Sequence, residues 1–240
     1  MFARLFTAVL AAALALPAAA AMTPEEIIAA LRKPENSTGN ISDAVDEATG
    51  ARGWMSADMK PVIDTKIVGR AWTALLRPVL RNDTRKYPNY ALQILDEAPA
   101  GSVLVYVLDG GLEIAGMGNL MATTAHVRGL EGTVIDGAVR DTTEIRKIGH
   151  PVFARRVGPA TSVGRLVSVA KQVPVKCAEV MVHPGDYIVG DADGVVVVPQ
   201  HAAEKVVALL KDYDRKEATI AEIIRREKSM LKALEVYDRY

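Results

Sequence analysis

The sequence contains little of what builds disulfide frameworks or nucleic-acid-binding faces. Its 240 residues include one cysteine, Cys177, so no internal disulfide can form, and we predict that Cys177 is a buried small residue without chemistry. Aromatic residues make up only 5% of the chain, which argues against a base-stacking surface. Lys+Arg and Asp+Glu are both 29, whereas a nucleic-acid-binding protein normally has a basic excess. These absences predict a protein without a nucleic-acid partner.

Residues 1–21 are typical of a secretory signal peptide. Arg4 gives a positively charged start, residues 5–16 carry no charge, and Pro17 precedes the small residues of a cleavage site. The apolar stretch is shorter than the roughly 20 residues of a membrane span, so we predict export to the periplasm or medium and no membrane anchor. Alternatively, translation begins at Met22 and the protein is cytoplasmic.

The pattern of the remaining chain predicts one α/β domain over residues 22–200 and a C-terminal helical extension over residues 201–240. The extension carries apolar residues at helical spacing and is expected to pack on the domain or on a neighbouring subunit. Residues 77–90 are polar and irregular and predict a long loop. Helices are predicted at 23–32, 42–48, 119–128 and 142–148, and strands at 66–76, 102–108, 133–135, 152–154, 166–170, 173–182, 187–189 and 195–198.

Two stretches place polar groups soon after buried strands. Residues 118–121 open a predicted helix, and the backbone N–H groups of such a start can bind a carboxylate. Arg140 and Asp141 follow the next apolar run; a guanidinium binds a carboxylate through two hydrogen bonds, and a carboxylate is a good ligand for a hard cation. Together these groups could hold an α-oxo acid and a divalent metal. The alternative is a structural ion pair that caps the following helix.

Two longer motifs resemble those of a known family. Residues 134–141 (VIDGAVRD) and 184–199 (PGDYIVGDADGVVVVP) resemble the RraA-like family, which includes the 4-hydroxy-4-methyl-2-oxoglutarate and 4-carboxy-4-hydroxy-2-oxoadipate aldolases. The resemblance extends over roughly residues 24–230. It implies an α/β fold, a swivelling β/β/α sandwich, and assembly into homotrimers or homohexamers. It also implies a divalent metal, usually Mg²⁺ with Mn²⁺ as the alternative, in a cleft between subunits.

The resemblance also implies roles for individual residues. The aldolases share an acid, twenty intervening residues, Arg-Asp, two more residues and a second acid. By that pattern Arg140 binds the substrate and stabilises its enolate, Asp141 ligates the metal, and Glu144 is the trailing acid and a second metal ligand. The N–H groups of Leu120 and Met121, in the helix start that follows Gly118, are implied to hold the substrate carboxylate.

Two positions carry less certain roles. Asn119 occupies the place of the leading acid; an amide can hydrogen-bond a metal-bound water but cannot take up a proton as a carboxylate does. We therefore expect decarboxylation to survive better than aldol cleavage. Glu217, in the helical extension, matches the tail acid that reaches the metal site of a neighbouring subunit, or is an ordinary solvated helix acid.

The resulting prediction is a metal-dependent lyase that acts on small oxo acids. It would cleave 4-hydroxy-2-oxo acids by a retro-aldol reaction, decarboxylate oxaloacetate, or do both, and each reaction would pass through a pyruvate enolate. The alternative is a non-catalytic, ring-shaped binding or regulatory protein of the same family, and Asn119 is the residue that favours it.

Overall fold

The computed structural model describes residues 21–80 and 82–236, so all but the last residue of the predicted signal peptide lies outside the described residues. The helices are α1 (Pro24–Arg32), α2 (Thr38–Thr49), α3 (Tyr90–Glu97), α4 (Asn119–Val127), α5 (Thr142–Ile148), α6 (Ala203–Glu227) and α7 (Met230–Leu234). The strands are β1 (Lys60–Pro61), β2 (Ile67–Pro78), β3 (Val103–Leu108), β4 (Ala115–Met117), β5 (Gly132–Val139), β6 (Val152–Val157), β7 (Leu166–Lys171), β8 (Val175–Cys177), β9 (Val180–Val182), β10 (Tyr187–Gly190) and β11 (Val195–Val198).

The first helices begin and end at residues that the sequence marks. Thr23 forms a capping box with Glu26, and Pro24 occupies the first turn of α1, where a missing N–H has no cost. Ser37 caps α2, which ends at Gly50 in the left-handed region with φ 70°. The predicted helix at 23–32 is thus confirmed, and the one at 42–48 starts four residues earlier than predicted.

A nine-stranded mixed sheet forms the centre of the domain. Its main path runs β1-β6-β5-β3-β2-β10-β11, with β4 paired to β5 and β7 to β2. Strands β2, β3, β5 and β6 pair in parallel. Parallel neighbours need crossover connections, which α3, α4 and α5 provide. The α/β class predicted from the sequence is confirmed.

Three apolar clusters hold the layers together. Helices α3–α5 cover one face of the parallel strands, where Tyr106 and Ile135 are fully buried. The strand pair β8–β9 covers the other face and packs against Phe153 of β6. Helices α1, α2 and α6 pack over β10 and β11, with Val206 and Leu210 of α6 in that cluster. Helix α6 therefore lies on its own domain in the described chain.

The β8–β9 hairpin has a turn without glycine. Ala178 and Glu179 both have positive φ, 43° and 73°, as the tight type I′ hairpin turn requires. The Ala178 N–H donates to Asp136 Oδ2 of β5 at 2.7 Å, and the Ala178 carbonyl accepts from the Ser56 N–H at 2.9 Å. The prediction of one strand over 173–182 was wrong because it read this Ala-Glu pair as extended.

Other elements also differ from the sequence-based expectations. Helix α3 begins at Tyr90, at the end of what was predicted to be loop, and β4 was missed because it has only three residues. Strand β5 continues through Asp136 and Gly137, although Asp-Gly is a common turn signal. None of the described helices combines the length and apolar character that a membrane span requires.

Candidate functional site

The parallel pairing of β4 with β5 brings the two predicted site segments together. Ala115 lies opposite Ala138, and Met117 opposite Val139. One residue beyond the strand, the Arg140 N–H donates to the Met117 carbonyl at 3.1 Å. The start of α4 and the Arg-Asp pair therefore meet at the carboxyl edge of the sheet, where α/β proteins commonly bind ligands.

Asp141 connects the two segments. It has φ 57° and ψ 37°, in the left-handed region that Asp tolerates better than most residues. Although Asp141 is the N-cap residue of α5, its side chain does not cap that helix. Asp141 Oδ2 instead accepts a hydrogen bond from the Asn119 N–H, at the start of α4, at 3.1 Å. Asp141 therefore forms an ion pair with Arg140 but does not cap the helix that follows it.

Arg140 stands beside this carboxylate without being bound tightly to it. Its Nε lies 3.7 Å from Asp141 Oδ2, and the two side chains are 42% and 35% exposed. Gly118 makes the approach possible: a Cβ there would lie 2.6 Å from Asp141 Oδ2 and 3.0 Å from Arg140 Nε. A guanidinium and a carboxylate are thus held side by side and remain accessible to a ligand.

The first turn of α4 supplies the third part of the site. First-turn N–H groups have no partner within their helix, and the N-cap residue Gly118 has no side chain to cap them. They carry the positive end of the helix dipole, which favours a negative ligand. We call the N–H groups of Leu120 and Met121 the α4 cradle. It lies on the same short segment as the Asn119 N–H, which binds Asp141.

The donor set suits a hard cation held partly by substrate and water. Both described contacts of the Asp141 carboxylate use Oδ2, so Oδ1 is the oxygen that could face a cation. Mg²⁺ is commonly bound through one or two carboxylates together with waters and substrate oxygens. The described residues contain no group of three or more His, Cys, Asp or Glu that could hold an ion by themselves. Asp141 therefore fits a cation that the substrate helps to bind.

The two weaker metal candidates lie in different places. Glu144 is exposed in the first turn of α5, three residues after Asp141. Glu217 lies on α6, where its Oε2 accepts a hydrogen bond from Asn40 Nδ2 of α2 at 3.1 Å. Helix α6 belongs to the layer that covers β10 and β11, whereas α4 and α5 lie in the layer on the parallel strands. Within one chain, Glu217 therefore belongs to a different layer from Asp141.

Sequence reasoning missed a second charged network, on the opposite face of the sheet. Arg155 donates to Asp58 and to Asp136, each at 3.0 Å, and Arg156 donates to Asp58 at 2.8 Å. Burial alone would raise the pKa of Asp58, but its hydrogen bonds and charge interactions with the two arginines outweigh it and lower that pKa. Arg155 is therefore held inside the chain by two carboxylates. Cys177 is buried, as predicted, and this burial raises the pKa of its thiol.

The fold and site define a class of α/β proteins in which a helix start without a side-chain cap lies beside an Arg-Asp pair. A family model described as RraA-like, Aldolase/RraA, matches residues 38–197. The chain therefore belongs to the RraA-like family.

Individual relatives agree with this assignment. Protein DlpA of Legionella pneumophila is 32% identical over 189 residues, 77% of this chain and 30% of DlpA. A 4-hydroxy-4-methyl-2-oxoglutarate aldolase of Thermus thermophilus is 34% identical over 108 residues, 45% of this chain and 65% of the aldolase. The chain thus spans less than two thirds of the length of either relative.

Solved structures show the same fold. An uncharacterized protein from Pseudomonas syringae pv. tomato superposes with a TM-score of 0.79 at 29% identity, over 94% of this chain and 100% of that chain. Streptomyces coelicolor RraAS2, described as an unusual member of the RNase ES inhibitor RraA protein family, gives 0.72 at 26% identity over 82% and 96%. The α/β RraA-like fold expected from the sequence motifs is therefore confirmed.

Proposed function

We propose that this protein is a metal-dependent lyase that cleaves or decarboxylates small oxo acids through a pyruvate enolate. The observation that carries the proposal is the position of the Asp141 carboxylate, turned from its own helix to the start of α4, beside the accessible Arg140 guanidinium. A purely structural Arg-Asp pair would not need to stay half-exposed next to uncapped N–H groups. The similarity to the Thermus thermophilus aldolase supports the same reaction class.

Each group has a distinct task in this proposal. The α4 cradle holds the substrate carboxylate through N–H groups that are already oriented by the helix. Arg140 donates to the oxygen on which negative charge grows as the C–C bond breaks, an interaction that strengthens in the transition state. Asp141 holds the divalent cation, Mg²⁺ or Mn²⁺, with Glu144 as the second candidate ligand. The cation supplies Lewis-acid polarisation of the oxo group when it is bound.

Proton transfer distinguishes the two reactions. Retro-aldol cleavage requires removal of the proton from the C4 hydroxyl, whereas decarboxylation of oxaloacetate requires no such step. Asn119, the first residue of α4, cannot act as a carboxylate base. We therefore propose that decarboxylation is the more robust activity of this chain.

The first experiment measures pyruvate release from oxaloacetate by the purified protein with Mg²⁺, with Mn²⁺ and with a chelator. Arg140→Ala and Asp141→Ala are each expected to lower the rate at least about 100-fold, the typical cost of losing one donor to a developing oxyanion or the ion that acts there. Arg128→Ala, at the C-cap of α4, and Asp96→Ala, on α3, are controls away from the site. Pyruvate release no faster than with free metal ion would refute the proposal.

The second candidate is a non-catalytic binding or regulatory protein of the same family. It is favoured by Asn119 and by the similarity to RraAS2, described as a member of an RNase inhibitor family. Retained binding of pyruvate or oxalate together with no turnover in the first experiment would support this candidate.

Two further proposals concern the state of the protein. We propose a homotrimer or homohexamer in which Glu217 of one subunit faces the site of the next; light scattering in solution tests the assembly. We also propose export. N-terminal sequencing of protein from a periplasmic fraction is expected to show a start near Ala21 or Met22, and an intact Met1 would contradict it.

A further inference from the structure

A cavity of about 350 Å³ opens beside the start of α4. Its walls come from the loop before α3, from α3 itself and from the segment that leads into β7, with Tyr87, Leu92 and Val163 among the contributing side chains. Met121 also lines the cavity. The residue that contributes one N–H of the α4 cradle therefore also borders the cavity.

The lining of this cavity carries no charge. None of its described lining residues is Asp, Glu, Lys, Arg or His. Part of its polarity is already used within the protein: Ser168 Oγ accepts from the Ala91 N–H at 3.1 Å, and the Tyr87 hydroxyl donates to Asp83 at 2.9 Å. The cavity thus offers an apolar wall with a few neutral hydrogen-bonding groups.

A cavity of similar size on the opposite face of the sheet shows the contrast. It measures about 370 Å³, and its lining includes Arg77, Asp109, Asp136, Arg155, Lys176 and Glu179. This protein therefore builds charged cavities elsewhere, and the neutral lining beside α4 is a local property. A carboxylate placed in the neutral cavity would lose water without gaining a cationic partner, which is costly.

Resting on the proposed function, we propose that the substrate is a 4-hydroxy-2-oxo acid whose C4 substituent is an uncharged alkyl or aryl group lying in this cavity. The C1 carboxylate occupies the α4 cradle, and the oxo group lies at Arg140. The C3–C4 bond then breaks as the hydroxyl proton leaves to water. C4 becomes the carbonyl carbon of an aldehyde, and the electron pair forms the pyruvate enolate, which takes a proton at C3.

The experiment compares two substrates of equal chain length. 4-Hydroxy-2-oxohexanoate ends in a methyl group, and 4-hydroxy-2-oxohexanedioate ends in a carboxylate at the same carbon. The proposal expects kcat/KM for the methyl-ended substrate to exceed that for the dicarboxylate by at least about tenfold, the lower end of what an apolar pocket discriminates. Pyruvate release from oxaloacetate, assayed in parallel, measures the activity of the enolate-forming groups without a C4 substituent in the cavity.

A charge added to the cavity wall is expected to reverse this preference. Leu92 and Val163 line the cavity and are 42% and 78% exposed, so Leu92→Arg and, independently, Val163→Arg can be accommodated at its rim. Each is expected to raise kcat/KM for the dicarboxylate and lower it for the methyl-ended substrate. Val127→Arg, at the far end of α4 and outside the cavity lining, is the matched control and is expected to change neither.

The outcomes separate this inference from the function on which it rests. Turnover of oxaloacetate with equal or better use of the dicarboxylate would overturn the inference and leave the lyase proposal intact. The absence of pyruvate from all three substrates would overturn both. Preference for the methyl-ended substrate, reversed by arginine at position 92 or 163 and not at position 127, supports the inference.

Discussion

Asp136 and Asp141 lie five residues apart, and each carboxylate has an arginine neighbour, but they are used in opposite ways. The Asp136 side chain is 16% exposed and is held by Arg155 Nη1 at 3.0 Å and by the Ala178 N–H at 2.7 Å. Asp141 is about twice as exposed, and its arginine lies 3.7 Å away. The Asp136 carboxylate is therefore used for structural contacts, whereas the Asp141 carboxylate remains accessible to a ligand.

This difference separates a structural ion pair from a site within one short motif. A carboxylate whose oxygens are already bonded inside the protein gains little from a metal ion, because binding would break existing hydrogen bonds. A carboxylate with one free oxygen at a helix start can bind a cation at lower cost. The neighbours of an Arg-Asp pair, more than its presence, therefore indicate function.

The largest expected effect is a loss of stability when the hydrogen bonds of Asp136 are removed. Asp136→Ala leaves Arg155 with one partner and removes the acceptor of the Ala178 N–H, so we expect the free energy of unfolding to fall by about 3 kcal/mol. Urea denaturation measures it. Asp141→Ala is the matched control and should lose activity with little change in stability. Similar destabilisation by both substitutions would contradict the distinction between a structural Asp136 and a ligand-accessible Asp141.

An acid at position 119 tests whether the amide of Asn119 limits proton transfer in aldol cleavage. Asn119→Asp restores the leading acid of the aldolase pattern beside the Asp141 contact. We expect the ratio of aldol cleavage to oxaloacetate decarboxylation to rise about 100-fold, the lower range of general-base catalysis. Parallel assays of pyruvate release from both substrates measure the ratio. An unchanged ratio would mean that the amide is not what limits proton transfer.

The close approach at Gly118 predicts a smaller loss. In Gly118→Ala the added Cβ would lie 2.6 Å from Asp141 Oδ2, so the carboxylate must move away from the Asn119 N–H. We expect kcat/KM for oxaloacetate to fall about tenfold, since catalytic groups are sensitive to displacements of about 1 Å. Gly39→Ala is the control, because its Cβ would meet Ser37 at an ordinary 3.5 Å. Full activity of Gly118→Ala would show that the Asp141 position is not critical.

The smallest expected effect is a pH dependence of the free energy of unfolding that comes from His150. Its Nε2 lies 3.0 Å from Thr133 Oγ1, and burial, with repulsion from His126, lowers its pKa to about 4. The unfolded chain takes up this proton near pH 6.5 and the folded chain does not, so stability falls as pH drops from about 6.5 towards 4. Between pH 6 and pH 5 the loss is about 1 kcal/mol.

Urea denaturation of the wild type and of His150→Gln at both pH values checks this expectation. The variant should lose about 1 kcal/mol less of its stability between the two pH values. An equal pH dependence in both proteins would assign the loss to other groups.

The sequence predicted those parts of the fold that depend on local patterns. The bounds of α5 and β11 were confirmed because a glycine or a continuous β-branched run marks them. Helix α3 was missed because Tyr90 follows a polar loop, and the end of β5 because Asp-Gly favours a turn in isolation. Tertiary pairing overrides that preference.

The sequence identified candidate site residues but not their geometry. Arg140 and Asp141 were proposed from their motif, but neither the left-handed backbone of Asp141 nor its contact with the Asn119 N–H follows from that motif. Arg155 and Asp136 are 19 residues apart in the sequence, and no local pattern predicts their hydrogen bond. Side-chain contacts between strands are therefore a part of the structure that local sequence patterns do not predict.

The β8–β9 hairpin has a consequence for the order in which the chain folds. Two successive non-glycine residues with positive φ, Ala178 and Glu179, disfavour this turn in an isolated peptide. The Asp136 carboxylate that stabilises it belongs to β5, which is positioned only when the parallel strands have assembled. The hairpin is therefore expected to form late, after the slow non-local strand pairing, and to open first when Asp136 is lost. In hydrogen exchange, the Ala178 amide would report this opening earlier than amides within β3.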